Sequence, residues 1–283
     1  MKKYNFDDLK GQVCVLTGGG GVIGHVMAMG LASAGVKTAI LDLNQEAAEK
    51  AAAEVEKATG TTTIGVKANV LDKASLIAAK EIVNKKLGKI DILINGAGGN
   101  SPKATTQVEK MEKSHLNELE KTFFGLQLEG FDFVLDLNLK GTVLPTMVFA
   151  TDIIEKGKGS VLNISSMNSF RPLTKIPAYS AAKGAVNNFT QWLAVHLAKT
   201  GVRVNAIAPG FFLTNQNRFL LTDEKTGELT ARGKKIIANT PVEKFGEPED
   251  LVGGMLFLLS DVSSFVNGII LPIDGGYSAF GGV

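Results

Sequence analysis

Short apolar runs rich in β-branched residues alternate with longer helical stretches through most of this 283-residue chain. The runs are continuously apolar, which is typical of strands that are covered on both faces. This alternation predicts an α/β fold with a doubly wound parallel sheet. Because no repeat, low-complexity tract or Pro/Gly linker divides the chain, we expect residues 1–283 to form a single domain. The predicted strands are residues 13–17, 37–41, 63–66, 90–95, 160–165, 203–208 and 269–273.

Charge and cysteine content exclude several classes of protein. The 30 Lys and Arg residues nearly balance the 28 Asp and Glu residues, and a net charge of +2 is too small for a nucleic-acid or polybasic membrane surface. Cys14 is the only cysteine, which excludes disulfides and thiolate metal clusters. The first ten residues lack the apolar core of a signal peptide, and no uncharged apolar run approaches the ~18 residues of a membrane span. We therefore expect a cytoplasmic protein with no nucleic-acid or membrane partner.

A glycine-rich run follows the first predicted strand, where Thr17 precedes Gly-Gly-Gly-Gly-Val-Ile-Gly. Glycines let the chain turn sharply and let backbone N–H groups at a helix N-terminus approach a pyrophosphate. Taken alone, the glycines are equally compatible with a purely structural turn. We interpret the run as a dinucleotide cradle, and its proposed contacts come from Gly18, Gly20, Gly21, Val22, Ile23 and Gly24.

Asp42 decides between the two interpretations of the glycine run. It ends the second predicted strand, 18 residues after Gly24, where a carboxylate can accept both hydroxyls of an adenosine ribose. The same carboxylate would repel a 2′-phosphate, and neither Arg nor Lys follows it directly. The sequence therefore predicts NAD as cofactor in preference to NADP.

Tyr179 and Lys183 stand four residues apart at the start of an Ala-rich helix, so both side chains lie on one helix face. An ammonium within about 4–6 Å favours a phenolate and lowers the phenol pKa. Such a phenol could exchange a proton with a carbonyl or alcohol oxygen near pH 7. An ordinary exposed helix pair is the alternative. We expect a lowered pKa for Tyr179 and a role in acid/base catalysis.

Two further polar residues precede this pair. Ser166 follows a predicted strand, 13 residues before Tyr179, and its hydroxyl could stabilise charge on a reacting oxygen. A simple turn former is the alternative for Ser166. Asn138 lies 41 residues before Tyr179 and could equally be a helix-interior amide at a kink.

The order and spacing of these motifs resemble those of the short-chain dehydrogenases/reductases over nearly the whole chain. The matching residues are Thr17–Gly24, Asn95-Gly-Ala-Gly, Asn138, Ser166, Tyr179, Lys183 and Pro209-Gly210. The resemblance implies a Rossmann-type seven-stranded parallel sheet and a homotetramer. It also implies a catalytic tetrad in which Tyr179 is the acid/base, Ser166 orients the substrate oxygen, Lys183 lowers the phenol pKa and binds the nicotinamide ribose, and Asn138 holds a proton-relay water.

The same resemblance assigns further residues to the cofactor site. Two departures from the family pattern stand out, since Val22 replaces the usual middle glycine and Gly96 replaces the second Asn of Asn-Asn-Ala-Gly. We expect Gly20 or Gly21 to make room for the pyrophosphate instead. Outside the cradle, the cofactor contacts implied by the resemblance are Asn69, Val70, Asn95, Gly96, Ala97, Tyr179, Lys183, Pro209, Gly210, Phe212 and Thr214.

Within the family, the sequence is most similar to the D-mannonate oxidoreductases (fructuronate reductases) of short-chain type, particularly in residues 95–106, 165–172 and 210–218. Two polar segments, residues 100–130 and 211–240, leave strand ends and are candidate lids. The balanced charges of residues 109–121 could instead form a solvated helix face. A sugar acid needs a cation and hydrogen-bonding side chains. The candidates are Asn100, Lys103, Asn168, Arg171, Asn217 and Arg218.

These observations predict reversible hydride transfer between NAD(H) and a sugar acid, most simply D-fructuronate/D-mannonate. A gluconate 5-dehydrogenase or another sugar or polyol dehydrogenase is the alternative, and a dinucleotide-binding regulator without chemistry is a third. No metal is expected, because the three histidines lie far apart in the sequence. Apolar residues 251–259 and the C-terminal residues 265–283 are expected to cover a subunit interface.

Overall fold

The computed structural model describes residues 4–214, 218–223 and 226–282. Its centre is a sheet of seven parallel strands in the order β3-β2-β1-β4-β5-β6-β7. The Rossmann-type doubly wound sheet predicted from the sequence is therefore confirmed. The strands are β1 (Val13–Thr17), β2 (Lys37–Asp42), β3 (Thr63–Lys67), β4 (Ile92–Asn95), β5 (Gly159–Ile164), β6 (Val202–Pro209) and β7 (Ile270–Ile273).

Helices cover both faces of the sheet. Helices α1, α2 and α9 bury their apolar side chains against one face, and α3, α5 and α6 bury theirs against the other. This double burial explains why the central strands are apolar throughout. The helices are α1 (Val22–Ser33), α2 (Gln45–Thr59), α3 (Lys73–Lys86), α4 (Leu128–Leu135), α5 (Gly141–Lys156), α6 (Pro177–His196), α7 (Arg218–Leu221), α8 (Ala231–Ala238) and α9 (Asp250–Leu259).

The strand order reverses beside β1. The chain runs from β1 outward to β2 and β3, and then returns to place β4 on the other side of β1. In open α/β sheets, ligands bind at the carboxyl ends of the strands at such a reversal. The glycine-rich run follows the carboxyl end of β1, and the chain after Asn95 leaves the carboxyl end of β4 next to it.

The charged segment between β4 and α4 does not form a helix face. It contains short 3₁₀ turns at Pro102–Ala104, Lys113–Asn117, Leu119–Lys121 and Phe123–Gly125. Its apolar side chains, such as Leu116 and Phe123, are exposed and do not pack against the core, so tertiary packing supports no long α-helix here. Glu112 and Thr122 cap individual turns instead. The interpretation of residues 109–121 as a solvated helix face is therefore wrong.

The helical stretch Leu128–Lys156 comprises α4, a π turn at Asp136–Lys140 and α5. Within the described residues it is the one stretch long and apolar enough to cross a membrane, with a mean hydropathy of 1.3. Half of that window is buried inside the protein, where Phe149 and Ile153 contribute to the core under the sheet. Packing within the fold thus accounts for the buried half of this apolar window.

Candidate active site

The loop after β1 depends on close backbone contacts that only glycine permits. Gly18 has φ of +69°, and a Cβ there would lie 2.8 Å from Cα of Ala97. A Cβ on Gly24 would lie 2.6 Å from the carbonyl oxygen of Gly18. The loop is therefore pressed against the chain after β4 and against the first turn of α1.

The N-terminus of α1 is formed so that an anion can approach it. Gly21 is its N-cap residue, and among the described residues no side chain caps it. Val22 and Ile23 begin the helix and are partly buried. A Cβ on Gly21 would meet nothing closer than 3.7 Å, whereas one on Gly20 would lie 2.9 Å from Oδ2 of Asp42. The uncapped N–H groups and the open side of Gly21 fit a pyrophosphate.

Asp42 is held at the edge of this loop by backbone donors. Its Oδ2 accepts a hydrogen bond of 3.2 Å from the amide of Gly20, and its Oδ1 accepts one of 3.0 Å from the amide of Asn44. These contacts fix the orientation of the carboxylate beside the cradle. The position fits the predicted role in binding a ribose.

Thr17 belonged to a matching motif but was not among the predicted cofactor contacts. Its hydroxyl accepts hydrogen bonds from the amides of Gly96 (3.1 Å) and Ala97 (3.3 Å). The hydroxyl thus joins the end of β1 to the chain after β4. The sequence feature that could have indicated this role is a hydroxyl residue at the end of a strand, next to a run of glycines.

Two predicted cofactor residues turn their side chains into the protein. Asn95 is buried and donates to Thr146 (2.9 Å) and Asn163 (2.8 Å) beneath the sheet surface. The Phe212 side chain is buried, and a Cβ on Gly246 would lie 2.6 Å from the Phe212 ring. Both side chains are thus engaged in internal packing, and the predicted cofactor contacts of these two residues would come from their backbone atoms.

Asn138 lies in the π turn between α4 and α5. Its amide nitrogen donates to the carbonyl oxygens of Gly99 (2.7 Å) and Val134 (2.8 Å), and its Oδ1 accepts from the amide of Gly99 at 3.3 Å. The side chain therefore both satisfies an irregular helical turn and ties it to the chain after β4. A π turn of this kind often occurs at functional sites.

Gly98 marks the point where two predicted catalytic side chains converge. A Cβ at this position would lie 2.7 Å from Oδ1 of Asn138 and 3.2 Å from Nζ of Lys183. Lys183 is buried, and its Nζ donates a 2.7 Å hydrogen bond to the carbonyl oxygen of Ile164. Gly98 belonged to a matching motif but was not among the predicted site residues, because only the folded structure brings these groups to it.

Tyr179, Lys183 and Ser166 form one group at the carboxyl end of β5. The Nζ of Lys183 lies 5.6 Å from the centroid of the Tyr179 ring. Burial raises the pKa of the Tyr179 phenol above its ordinary value, and a hydrogen bond with the Ser166 side chain opposes that rise. Burial also lowers the pKa of Lys183 to about 8. The expectation of a lowered phenol pKa is therefore wrong for the protein alone, because desolvation of the phenol outweighs the favourable contacts.

The other predicted cofactor residues lie around the same edge of the sheet. Asn69 is exposed after β3, where its Oδ1 accepts from the amide of Leu71 at 2.9 Å. Val70 is buried next to Gly141. Gly210 follows β6 directly, and a Cβ on it would lie 2.6 Å from Cα of Asp274. The remaining two, Pro209 and Thr214, lie at the end of β6 and before α7.

This geometry agrees with the comparison to known proteins. The family described as Enoyl-(Acyl carrier protein) reductase matches residues 20–278. The chain belongs to the short-chain dehydrogenase/reductase family. It is an oxidoreductase of that family, as the sequence motifs predicted.

Relatives of this dehydrogenase/reductase match nearly all of its length. It is 50% identical to an "Uncharacterized oxidoreductase" of Haemophilus influenzae over 98% of this chain and 96% of that protein. It is 33% identical to a 2-dehydro-3-deoxy-D-gluconate 5-dehydrogenase of Dickeya dadantii over 97% and 98% of the two proteins. A solved H. influenzae structure, provisionally named a D-mannonate oxidoreductase and containing bound NAD, has 49% identity and a TM-score of 0.92 and covers 98% and 99% of the two proteins.

The candidate substrate residues differ in their surroundings. Asn168 is buried in the 3₁₀ turn that follows Ser166. Arg171 is exposed, and its Nε donates to the carbonyl oxygen of Ser278 at 3.1 Å. The side-chain amide of Asn100 donates a hydrogen bond to the hydroxyl of Thr105 within the same loop. Lys103 and Arg218 are exposed, whereas Asn217 lies outside the described residues.

The two predicted lid segments contact each other and the loop before α6. Lys235 of α8 forms an ion pair with Glu109 of the first segment. The amide of Thr106 donates to the carbonyl oxygen of Lys175 at 2.9 Å. These contacts join the two segments to each other and tie the first of them to the loop that leads to Tyr179.

Two observations concern other kinds of site. Among the described residues, no group of three His, Cys, Asp or Glu side chains could hold a metal ion. A cavity of about 680 Å³ lies at the opposite edge of the sheet, near the amino ends of β5 and β6. Its cations are engaged, since Lys156 pairs with Asp91, Lys158 pairs with Asp261, and Arg203 donates to several carbonyl oxygens.

Proposed function

We propose that this protein transfers hydride reversibly between NAD(H) and a sugar acid, with D-fructuronate/D-mannonate as the substrate pair and Tyr179 as the acid/base. The observation that carries the proposal is the convergence of Asn138 and Lys183 on Gly98, next to Tyr179 and the glycine cradle. A phenol, an ammonium and an anion-binding helix N-terminus at one sheet edge suit carbonyl reduction beside a dinucleotide.

In the direction of reduction, the chain's own residues supply and direct a proton. Because burial raises its pKa, the Tyr179 phenol is protonated near pH 7 and can donate to the carbonyl oxygen of the substrate. The Ser166 hydroxyl, in contact with Tyr179, can hydrogen-bond the same oxygen as it gains charge. The Lys183 ammonium then favours the phenolate that remains. The bound nicotinamide supplies the hydride.

Selection of NAD over NADP rests on Asp42. Two backbone amides hold its carboxylate beside Gly20, where it can accept the ribose hydroxyls. A 2′-phosphate in that position would meet a fixed negative charge. The NAD bound by the similar H. influenzae protein supports the same choice.

Selection of a sugar acid rests on the polar groups around the reacting position. Asn168 lies in the turn directly after Ser166, and among the described residues its buried Oδ1 meets no hydrogen-bond donor, so a substrate hydroxyl that displaced the cover of this atom would satisfy it. Arg171 uses Nε for Ser278, which leaves its terminal nitrogens for a carboxylate. The name given to the H. influenzae structure supports D-mannonate as the reduced partner.

The decisive experiment is a substrate panel with purified protein. D-Fructuronate, 5-keto-D-gluconate and a neutral ketose are compared at fixed pH while NADH oxidation is followed by absorbance. We expect the highest kcat/KM with D-fructuronate. Turnover of the neutral ketose at an equal rate would refute the sugar-acid assignment.

A gluconate-type 5-dehydrogenase is the second candidate, and the similar D. dadantii protein favours it. In that case 5-keto-D-gluconate would be the preferred substrate in the same panel. A dinucleotide-binding regulator is the third candidate. It would bind NADH without turnover, and Tyr179→Phe would leave its biological role intact.

We also infer a cytoplasmic homotetramer, although the role expected for residues 251–259 needs correction. Most apolar side chains of α9 are buried within the protein, including Leu251 and Met255, and Phe257 is partly exposed. Phe265 is fully exposed and Ile269 is 42% exposed before β7, so this part of the C-terminal region supports an interface. Light scattering on the purified protein should give four times the mass of the chain, and Phe265→Ser should reduce it.

A further inference from the structure

Asn187 continues the helix face that carries the proposed chemistry. Tyr179, Lys183 and Asn187 follow one another at intervals of four residues on α6, so all three lie on one side of the helix. Asn187 is partly buried, while the adjacent Asn188 is exposed. The two neighbouring asparagines therefore face different surroundings.

The amide of Asn187 contacts residues on both sides of Ser166. Its Oδ1 accepts a 2.5 Å hydrogen bond from the hydroxyl of Ser165, and its Nδ2 donates a 2.8 Å bond to the hydroxyl of Ser169. The Ser169 hydroxyl donates in turn to the carbonyl oxygen of Ser166 at 2.6 Å. One amide thus holds the residue before Ser166 directly and the Ser166 backbone through one hydroxyl.

These bonds fix the place where the polypeptide leaves β5. Ser166 has extended backbone angles, φ −163° and ψ 154°, and begins the 3₁₀ turn Met167–Ser169. Its hydroxyl accepts from the amide of Asn168 at 3.2 Å and contacts the Tyr179 side chain. The position of the Ser166 hydroxyl therefore depends on how this turn is held against α6. The turn is held there by hydrogen bonds among the hydroxyls of Ser165 and Ser169 and the side-chain amide of Asn187.

We propose that Asn187 is a positioning residue that seats the turn of Ser166 against α6, so that the Ser166 and Tyr179 hydroxyls converge on one substrate oxygen. Its kinetic consequence rests on the function proposed above. An amide suits the task because it accepts from one serine and donates to the other at the same time. Asp can keep only the acceptor contact, and Leu can keep neither.

The kinetic test compares Asn187→Leu, Asn187→Asp and Ser169→Ala with Asn188→Leu as the matched control. Displacement of a reacting group by about 1 Å can cost roughly 100-fold in rate. We expect kcat to fall about 10- to 100-fold in Asn187→Leu and by less in Asn187→Asp, with KM for NADH within about twofold of the unsubstituted protein. Adding Ser169→Ala to Asn187→Leu should lower kcat little further, because both act through one series of hydrogen bonds.

A structural measurement keeps the inference independent of the substrate assignment. Crystal structures of the unsubstituted protein, Asn187→Leu and Asn188→Leu should show that the hydroxyls of Ser166 and Tyr179 move apart only in Asn187→Leu. Unchanged hydroxyl positions in Asn187→Leu would overturn the proposal, as would an equal fall of kcat in both leucine variants. If no sugar acid is turned over by any of the proteins, the proposed function fails while the crystal structures still decide the role of Asn187. If Asn187→Leu does not fold, Ser169→Ala is studied instead by steady-state kinetics and by crystallography. A lower kcat with separated Ser166 and Tyr179 hydroxyls would support the proposal, and unchanged hydroxyl positions would overturn it.

Discussion

The ammonium of Lys183 donates a 2.7 Å hydrogen bond to the carbonyl oxygen of Ile164, the last residue of β5. This bond connects the helix face that carries Tyr179 and Lys183 to the end of a central strand, two residues before Ser166. It also orients a buried cation for which burial has lowered the pKa to about 8. The lysine therefore has a structural contact as well as its proposed chemical role, and the charged ammonium makes this hydrogen bond more strongly than the neutral amine would.

The first prediction concerns the stability of Lys183→Met as a function of pH. Between the folded pKa of about 8 and the ordinary value of 10.5, this lysine holds a proton in the unfolded state and lacks it in the folded state. The free energy of unfolding of the unsubstituted protein should therefore rise with pH across this window, by about 3 kcal/mol at most from this group. Below pH 8 both states are protonated and the group adds no slope. Urea denaturation at several pH values measures the free energy of unfolding across this range.

Lys183→Met should lack that rise, and Lys140→Met, which removes an exposed lysine, should retain it. The quantity compared is the difference between each variant and the unsubstituted protein, because other groups titrate in the same range. Identical slopes in all three proteins would show that Lys183 is not desolvated as the structure has it.

The second prediction concerns Gly98→Ala. The added methyl would lie 2.7 Å from Oδ1 of Asn138, a side chain held by three hydrogen bonds, and 3.2 Å from Nζ of Lys183. We expect kcat to fall roughly 10- to 100-fold, since groups at the reacting position must shift. Gly99→Ala is the control, because its methyl would make only an ordinary contact of 3.5 Å with Leu137. Steady-state kinetics on both variants should separate them, and equal kcat values would contradict the crowding at Gly98.

Local sequence patterns predicted the framework of this protein well. β1 has the predicted bounds, and the other six strands lie within two residues of theirs, because buried strands must be continuously apolar. The contact between the glycine loop and Asp42 was also predictable, because the glycines follow one strand and the acid ends the next. The interpretation of residues 109–121 as a helix face failed because a balance of positive and negative charges does not determine whether a segment packs against the core as an α-helix.

Contacts between distant segments were the part that the sequence could not provide. Asn95 belongs to a motif expected at the cofactor, yet the fold places its amide among Thr146 and Asn163. The sign of the Tyr179 pKa shift was missed because residue spacing fixes the neighbour on the helix but not the amount of water excluded from the phenol. Asn187 escaped notice for a related reason, since its partners come from another element.

The third prediction concerns cofactor choice in Asp42→Ala. The carboxylate is the group proposed to bind the ribose hydroxyls and to exclude a 2′-phosphate, and hydrogen bonds to a charged group contribute about 1.5–3 kcal/mol each. We expect KM for NAD to rise roughly 10- to 100-fold while KM for NADP falls or stays constant. Glu46→Ala, which removes an exposed carboxylate from the first turn of α2, should change neither value. An unchanged preference for NAD in Asp42→Ala would remove the argument for a ribose contact.

The fourth prediction concerns charge recognition by Arg171. Its terminal nitrogens are proposed to bind the substrate carboxylate, while its Nε holds the carbonyl oxygen of Ser278. Arg171→Ala should raise KM for D-fructuronate by about 10- to 100-fold, as expected for loss of a charge-assisted hydrogen bond, and should change KM for a neutral ketose far less. Arg171→Lys keeps the positive charge but loses the paired terminal nitrogens of the guanidinium. Its KM for D-fructuronate should lie between those of the unsubstituted protein and Arg171→Ala. The exposed Arg232→Ala serves as control for a general change in surface charge. If Arg171→Ala raises both KM values equally, the effect reflects release of the C-terminal segment from Arg171, and the carboxylate contact must be sought elsewhere.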